Sequence, residues 1–265
     1  MFSAFELGIK YLRYVITASN GQGHGVHSPF VFNLIQRVFI DYAKYDAYDK
    51  IETKRKALLN NATLLTIEDF GAGSTVMKSN TRRVRDIARS SLKPKKYGQL
   101  LFRLVAFFQP ATVLELGTSL GITTSYLATA NPAGKVITFE GATQVAAQAR
   151  GIFESLGLNN VTIVEGNFDD TLAQTLRTTG KIDFAFVDGN HRHEPTVRYF
   201  RELLGSIHEE SVVVFDDIHW SHEMEAAWEQ IKQDASVTLS IDLFFIGLVF
   251  FRKEHKVKQH FTIRY

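Results

Sequence analysis

The run Val113-Leu-Glu-Leu-Gly-Thr-Ser-Leu-Gly121 constrains the fold of this 265-residue chain more than any other stretch. It reads as a buried strand carrying one acid, a turn punctuated by Gly117 and Gly121, and a helix starting near Ile122. Glycine lets the backbone bend sharply and lets a ligand approach without a Cβ in the way. A strand that stops at such a turn exposes backbone N–H groups at the next helix's N-terminus, which suits a nucleotide-like ligand or a carboxylate. Four more strands follow in order: Val136–Gly141 ending in Glu140, Val161–Asn167, Ile182–Asp188, and Ser211–Asp217 ending in two carboxylates. Helical stretches fall between them, at roughly 122–130, 142–156, 168–178 and 194–206. Strands alternating with helices predict an α/β fold with a doubly wound, mostly parallel sheet covered on both faces. Ligands in such sheets bind off the carboxyl ends of the strands, and every acid or amide just named falls there.

The ligand class follows from the turn. A dinucleotide site wants G-x-G-x-x-G, whereas Gly117 and Gly121 make G-x-x-x-G with Glu115 just before it. A carboxylate there repels a pyrophosphate but can hold an ammonium group, which points to S-adenosylmethionine (SAM), whose amino-acid end is a zwitterion. Glu115, Gly117, Thr118, Ser119 and Gly121 are the candidates for that end. Glu140, followed by Gly141, ends the second strand, where an acid accepts hydrogen bonds from ribose hydroxyls. Asn167 with Phe168 is placed to border the adenine.

From residue 96 to 265 the chain resembles the class I SAM-dependent methyltransferases, within them the small-molecule O-methyltransferases of the catechol and caffeoyl-CoA type. Leu114 to Thr124 is close to that family's SAM loop, Phe186-Val-Asp-Gly-Asn-His191 stands where the family has a metal aspartate, and Val214-Phe-Asp-Asp-Ile-His-Trp220 resembles its second metal pair. The resemblance implies a Rossmann-like fold closed by an antiparallel C-terminal hairpin, and a divalent cation, magnesium first, held by Asp188, Asp216 and Asp217. It also places Asp188 beside cofactor and acceptor. Two departures stand out: His191 occupies the family's catalytic lysine position, and Asp217 a position often filled by asparagine.

Methyl transfer from SAM is an in-line displacement, so the protein must hold an oxygen nucleophile close to the methyl carbon. A phenol-like hydroxyl must also lose its proton, to a nearby base or with the help of a cation. Asp188 and His191 are the candidate catalytic residues, since histidine titrates near neutrality. Plainer readings stand beside these. The glycine turn could be an ordinary strand–helix connection, Glu140 a surface acid and Asn167 a turn residue. The three aspartates could cap helices or orient substrate without a metal, His191 could be structural or contact the adenosine, and Trp220 could be packing. His193, His219 and His222 show no convincing ligand spacing.

Residues 1–95 read as a mainly helical extension that serves as cap, lid or dimerisation segment, and 96–265 as the methyltransferase domain. Phe2 to Ile16 predicts an amphipathic helix, residues 20–25 a glycine-rich loop, and Ser28-Pro29 the N-cap and first position of a helix running through Phe39. His27 reads as a loop residue beside that cap. Leu64 to Ser74 imitates a SAM loop but lacks the strand series that follows Gly121, so a hairpin or loop is the reading. The C-terminal hairpin is expected from Thr238–Phe245 and Gly247–Arg252, turning near Ile246-Gly247, with a last edge strand or surface-docked tail in 253–265.

Charge is uneven: residues 1–95 hold 15 Lys+Arg against 8 Asp+Glu, and the remainder 15 against 20. Most of the excess lies between Lys78 and Lys96, as a solvated helix face or a basic rim that attracts an anionic small molecule. The absence of cysteine excludes disulfide and thiolate chemistry and is compatible with a cytoplasmic setting. The longest apolar run, Leu243 to Phe251, is far too short to span a membrane. The expectation is a cytoplasmic SAM-dependent methyltransferase acting on oxygen of a small molecule, with a homodimer as an option. The rivals are a nucleic-acid methyltransferase using the basic segment, an NAD-dependent oxidoreductase, which Glu115 disfavours, and a non-catalytic SAM-binding protein.

Overall fold

A computed structural model describes residues 1–19, 21–23, 25–67, 81–254 and 256–265. The chain forms two compact units, one of Met1–Asp41 with Gly180–Tyr265, the other of Tyr42–Thr179. The residues expected to form one N-terminal extension are therefore shared between both. In the first unit, α1 (Ala4–Thr17) opens on a capping box: the Ser3 hydroxyl accepts the Glu6 N–H while the Glu6 carboxylate accepts the Ser3 N–H. Ser28 caps α2 (Pro29–Leu34) with Pro29 in its first turn. The single helix expected through Phe39 instead widens into a π-helical stretch at Ile35–Phe39, where Ile35, Val38 and Phe39 are buried.

The second unit begins with α3 (Asp46–Asn60), a two-stranded antiparallel ribbon of β1 (Leu64–Thr66) and β2 (Thr81–Arg83), α4 (Val84–Ser91) and α5 (Lys95–Phe108). The ribbon agrees with the hairpin reading of this region; Glu68 to Ser74 of the imitation loop, and Lys78, lie outside the described residues. Then come β3 (Thr112–Leu116), α6 (Ile122–Ala130), β4 (Lys135–Glu140), α7 (Thr143–Ser155), β5 (Val161–Glu165) and α8 (Phe168–Thr179). Strands β3, β4 and β5 pair in parallel, with Glu115 opposite Thr138 and Glu140 opposite Glu165. A core of Tyr48, Ile51, Val84, Phe102, Leu120, Ile122 and Tyr126 packs the helices together. The Tyr126 hydroxyl donates to Glu52 at 2.7 Å. Burial first, and then this acid, push its pKa upward.

The remainder of the first unit carries β6 (Phe184–Val187), α9 (His193–Leu204), β7 (Val212–Asp216), α10 (His222–Gln233), β8 (Leu239–Asp242), β9 (Ile246–Phe250) and β10 (Gln259–Thr262). β6 and β7 are parallel and buried along their whole length, as a strand covered on both faces must be. β9 runs antiparallel to both β7 and β8, and β10 adds in parallel beside β8, so the tail does form an edge strand. The C-terminal hairpin turns at 243–245 rather than at Ile246-Gly247. The cause is part local, part tertiary: Asp242 Oδ1 accepts the Phe244 N–H at 2.8 Å, Phe244 takes φ 72°, and Gly247 is needed inside β9, where a Cβ would come within 2.8 Å of the Trp228 ring.

Candidate active site

The turn after β3 is built by its neighbours. The Gly117 and Thr118 N–H groups donate to the Phe139 carbonyl, and the Ser119 N–H donates to Glu140 Oε2 at 2.8 Å. The other Glu140 oxygen accepts the Ala142 N–H at 2.9 Å, so one carboxylate ties the turn to the start of α7. Burial pushes the Glu140 pKa upward, against the N–H groups of Ala142, Ser119 and Gly141, which hold it down. Gly121 caps α6 at φ 80°, and a Cβ there would lie 2.7 Å from the Phe153 ring and 3.1 Å from Ala149. This glycine is therefore required by its backbone conformation and by the approach of α7, in addition to any ligand.

Glu115 is fully buried. Its Oε2 accepts the hydroxyls of Thr124 at 2.5 Å and Thr138 at 2.7 Å, and Thr138 in turn meets Thr118 at 2.6 Å. Thr118 was among the candidates from the sequence, whereas Thr124 and Thr138 join the candidate site without having been singled out there. Thr138 is reached through strand pairing and Thr124 through the turn's path, neither of which is a local pattern. Ser91 at the end of α4 meets the Ser119 hydroxyl at 2.8 Å, which brings the basic helix to the turn. At the tip of β5, the Asn167 side chain accepts the Asp169 N–H and its carbonyl accepts those of Asp170 and Thr171, so it shapes the start of α8. Phe168 stands edge-on to Phe139 with centroids 6.3 Å apart.

In the other unit, β6 and β7 end at the aspartates expected for a metal. Ligand atoms of Asp188, His191 and Asp216 all lie within 4.8 Å of one another. His191 Nε2 is 3.5 Å from Asp188 Oδ1, and Asp216 is buried at the end of its strand. Asp217 is not in this group; it turns at φ 52° and its carbonyl accepts the Trp220 N–H. Trp220 stands edge-on to His191 at 5.7 Å. Of the five non-glycine residues with positive φ among the described residues, three (Ser119, Asn190 and Asp217) sit in the strand-end turns; the others, Gln109 and Phe244, close α5 and the β8–β9 turn. Strained backbone of this kind concentrates at functional sites. His219, with no ligand spacing in the sequence, is held between Asp242 at 2.7 Å and Glu225 at 3.0 Å and is a structural residue.

Residues 114–218 match the methyltransferase domain family. A curated relative from Mycobacterium tuberculosis, described as a probable O-methyltransferase, is 33% identical over 130 residues, which is 46% of this chain. The match spans 55% of that relative, so the chain covers about half its length. Among solved structures, an O-methyltransferase from Bacillus cereus in complex with S-adenosylhomocysteine superposes with a TM-score of 0.57 at 19% identity, over 81% of this chain and 95% of that one. An O-methyltransferase of Streptomyces achromogenes involved in tomaymycin synthesis, in complex with SAM, gives 0.57 at 19% identity, over 82% and 95%. The fold is thus the Rossmann-like methyltransferase fold, and residues 114–218 are similar to a methyltransferase domain. Among the described residues no helix is long and apolar enough to cross a membrane.

Proposed function

We propose that this chain is a SAM-dependent methyltransferase that acts on an oxygen of a small molecule. The observation that carries the reading is the Glu140 carboxylate, fixed at the tip of β4 by N–H groups of the glycine turn and of the α7 start. Each of its oxygens keeps a further lone pair for the ribose hydroxyls of SAM. Ser119, Thr118, Gly117 and Gly121 shape the cradle for the amino-acid end, Glu115 supplies negative charge beneath it through Thr124 and Thr138, and Gly141, Asn167 and Phe168 border the nucleoside.

Asp188, His191 and Asp216 are the residues that would hold a divalent cation and orient the acceptor. Two carboxylates with one imidazole suit manganese, iron or zinc better than magnesium, which prefers oxygen alone. A cation bound there lowers the pKa of an acceptor hydroxyl. In methyl transfer the acceptor oxygen forms its bond to the methyl carbon as the carbon–sulfur bond breaks, leaving S-adenosylhomocysteine, and the acceptor proton departs. Without a cation, His191 is the group able to take that proton.

Calorimetric titration with SAM, beside Glu140→Ala, tests the cofactor site. Binding in the parent and its loss in the variant are expected; no binding in either would sink the reading. Turnover of a catechol-like acceptor measured with manganese and with a chelator then separates the ligand role of His191 from the base role.

A further inference from the structure

We propose that the outward face of α1 is a docking seam for a second copy of this chain, with the two helices antiparallel. The helix has two apolar faces. Its inner face is spent inside its own unit: Tyr14 is buried, its hydroxyl donates to the Ile263 carbonyl at 2.5 Å, and Lys10 pairs with Glu225 at 3.0 Å. Tyr14 and Ala18 pack with Phe244, with Leu7 and Val15 against them. The outer face nevertheless carries Phe5, Ile9, Leu12 and Ile16, which are 77%, 53%, 60% and 71% exposed. Single exposed apolar residues are ordinary, but four aligned on one face of one helix are not.

The spacing identifies the occupant. Steps of four, three and four residues are those of a narrow coiled-coil seam, rather than the broad apolar face, rich in Lys and Arg at its edges, with which a helix lies on a membrane. In an antiparallel two-fold pair, Phe5 meets Ile16 of the second copy and Ile9 meets Leu12. The same arrangement sets Glu6 of each copy beside Arg13 of the other, on one flank of the seam. Both are exposed, and the Ser3 N–H and hydroxyl keep the Glu6 carboxyl below its usual range, so it is charged at neutral pH. On the opposite flank Gly8 meets Val15, and none of the described residues lies within 4 Å of where a Gly8 Cβ would stand, which leaves room for a second backbone to approach. A mid-helix glycine otherwise lowers helix stability by about 1 kcal/mol relative to alanine. The seam is ~21 Å long at about 1.5 Å per residue. Alone it is smaller than a standard interface of about 800 Å² per partner, so the dimer is expected to dissociate on dilution.

Sedimentation velocity of the whole chain across a concentration series is the test. The expected result is a monomer–dimer equilibrium that Ile9→Glu with Leu12→Glu abolishes while SAM binding or thermal unfolding stays at the parent level. The chain lacks cysteine, so Ile9→Cys and Leu12→Cys variants each carry one thiol. Oxidation of their mixture should yield mainly the mixed 9–12 cross-link. Three results would overturn the proposal: a monomer at every concentration, mainly like-with-like cross-links, or a monomer that floats with anionic phosphatidylglycerol vesicles through the same stripe.

Discussion

Replacing Gly121 with alanine tests the link between the cofactor turn and the packing beneath it. Two costs apply. At φ 80° an L-residue sits in the left-handed region, costing about 1–2 kcal/mol. The new Cβ would stand 2.7 Å from the Phe153 ring, and Ala149 blocks a simple retreat at 3.1 Å. Overpacking of this kind costs about 1–3 kcal/mol. Together Gly121→Ala should lose about 2–5 kcal/mol, a large share of the ~5–15 kcal/mol that a domain has to spare. Gly151, on the solvent side of the same α7, is the control: a Cβ there meets none of the described residues within 4 Å, so Gly151→Ala should gain up to about 1 kcal/mol from helix propensity. Urea denaturation followed by circular dichroism reads both. If Gly121→Ala unfolds within about 0.5 kcal/mol of the parent, the ordinary range for an inconsequential substitution, the packing argument is wrong and the glycine serves the ligand alone.

Thr124→Val should destabilise by about 1–3 kcal/mol, because it removes a hydroxyl donor from the fully buried Glu115 carboxylate; chemical denaturation measures it. Glu140→Gln should weaken SAM binding by about 10- to 100-fold in calorimetry, the range for losing a hydrogen bond to a charged acceptor, while the fold persists. His219 gives a pH signature. Burial opposes its charge, but the hydrogen bonds and charges of Asp242 and Glu225 outweigh it and raise its pKa in the folded chain. A raised pKa contributes stability that is fully present below the unfolded value of about 6.5 and lost as pH rises through the folded one. Stability of the parent should therefore fall toward that of His219→Asn as pH rises above 6.5, in unfolding titrations at a series of pH values; parallel curves would exclude the charged histidine.

The central elements were legible because their signals are local. β3, the Gly117–Gly121 turn and α6 were readable from a short apolar run stopped by glycine, and α6 starts and ends where the pattern places it. The Ser28-Pro29 cap is likewise a short-range signal, since each partner lies within three residues. The order of strand-end acids was enough to infer a parallel α/β sheet and a ligand of nucleoside type. What failed locally failed for identifiable reasons. The hairpin turn moved to 243–245 because a backbone N–H reaches the Asp242 carboxylate and because Gly247 is needed against Trp228, a residue nineteen positions earlier.

The sequence alone determined which residue types stand at the strand ends, because hydrophobic period and glycine punctuation act within a few residues. Only the tertiary structure decided which of them meet. Glu115 finds Thr138 through strand register, and His191 joins Asp188 and Asp216 while Asp217 does not, because a left-handed backbone at Asp217 redirects the chain one residue after β7. The two faces of α1 show the same division. Its heptad spacing is written in the sequence, but which face is buried against Phe244 and which is left bare depends on how the helix docks within its unit.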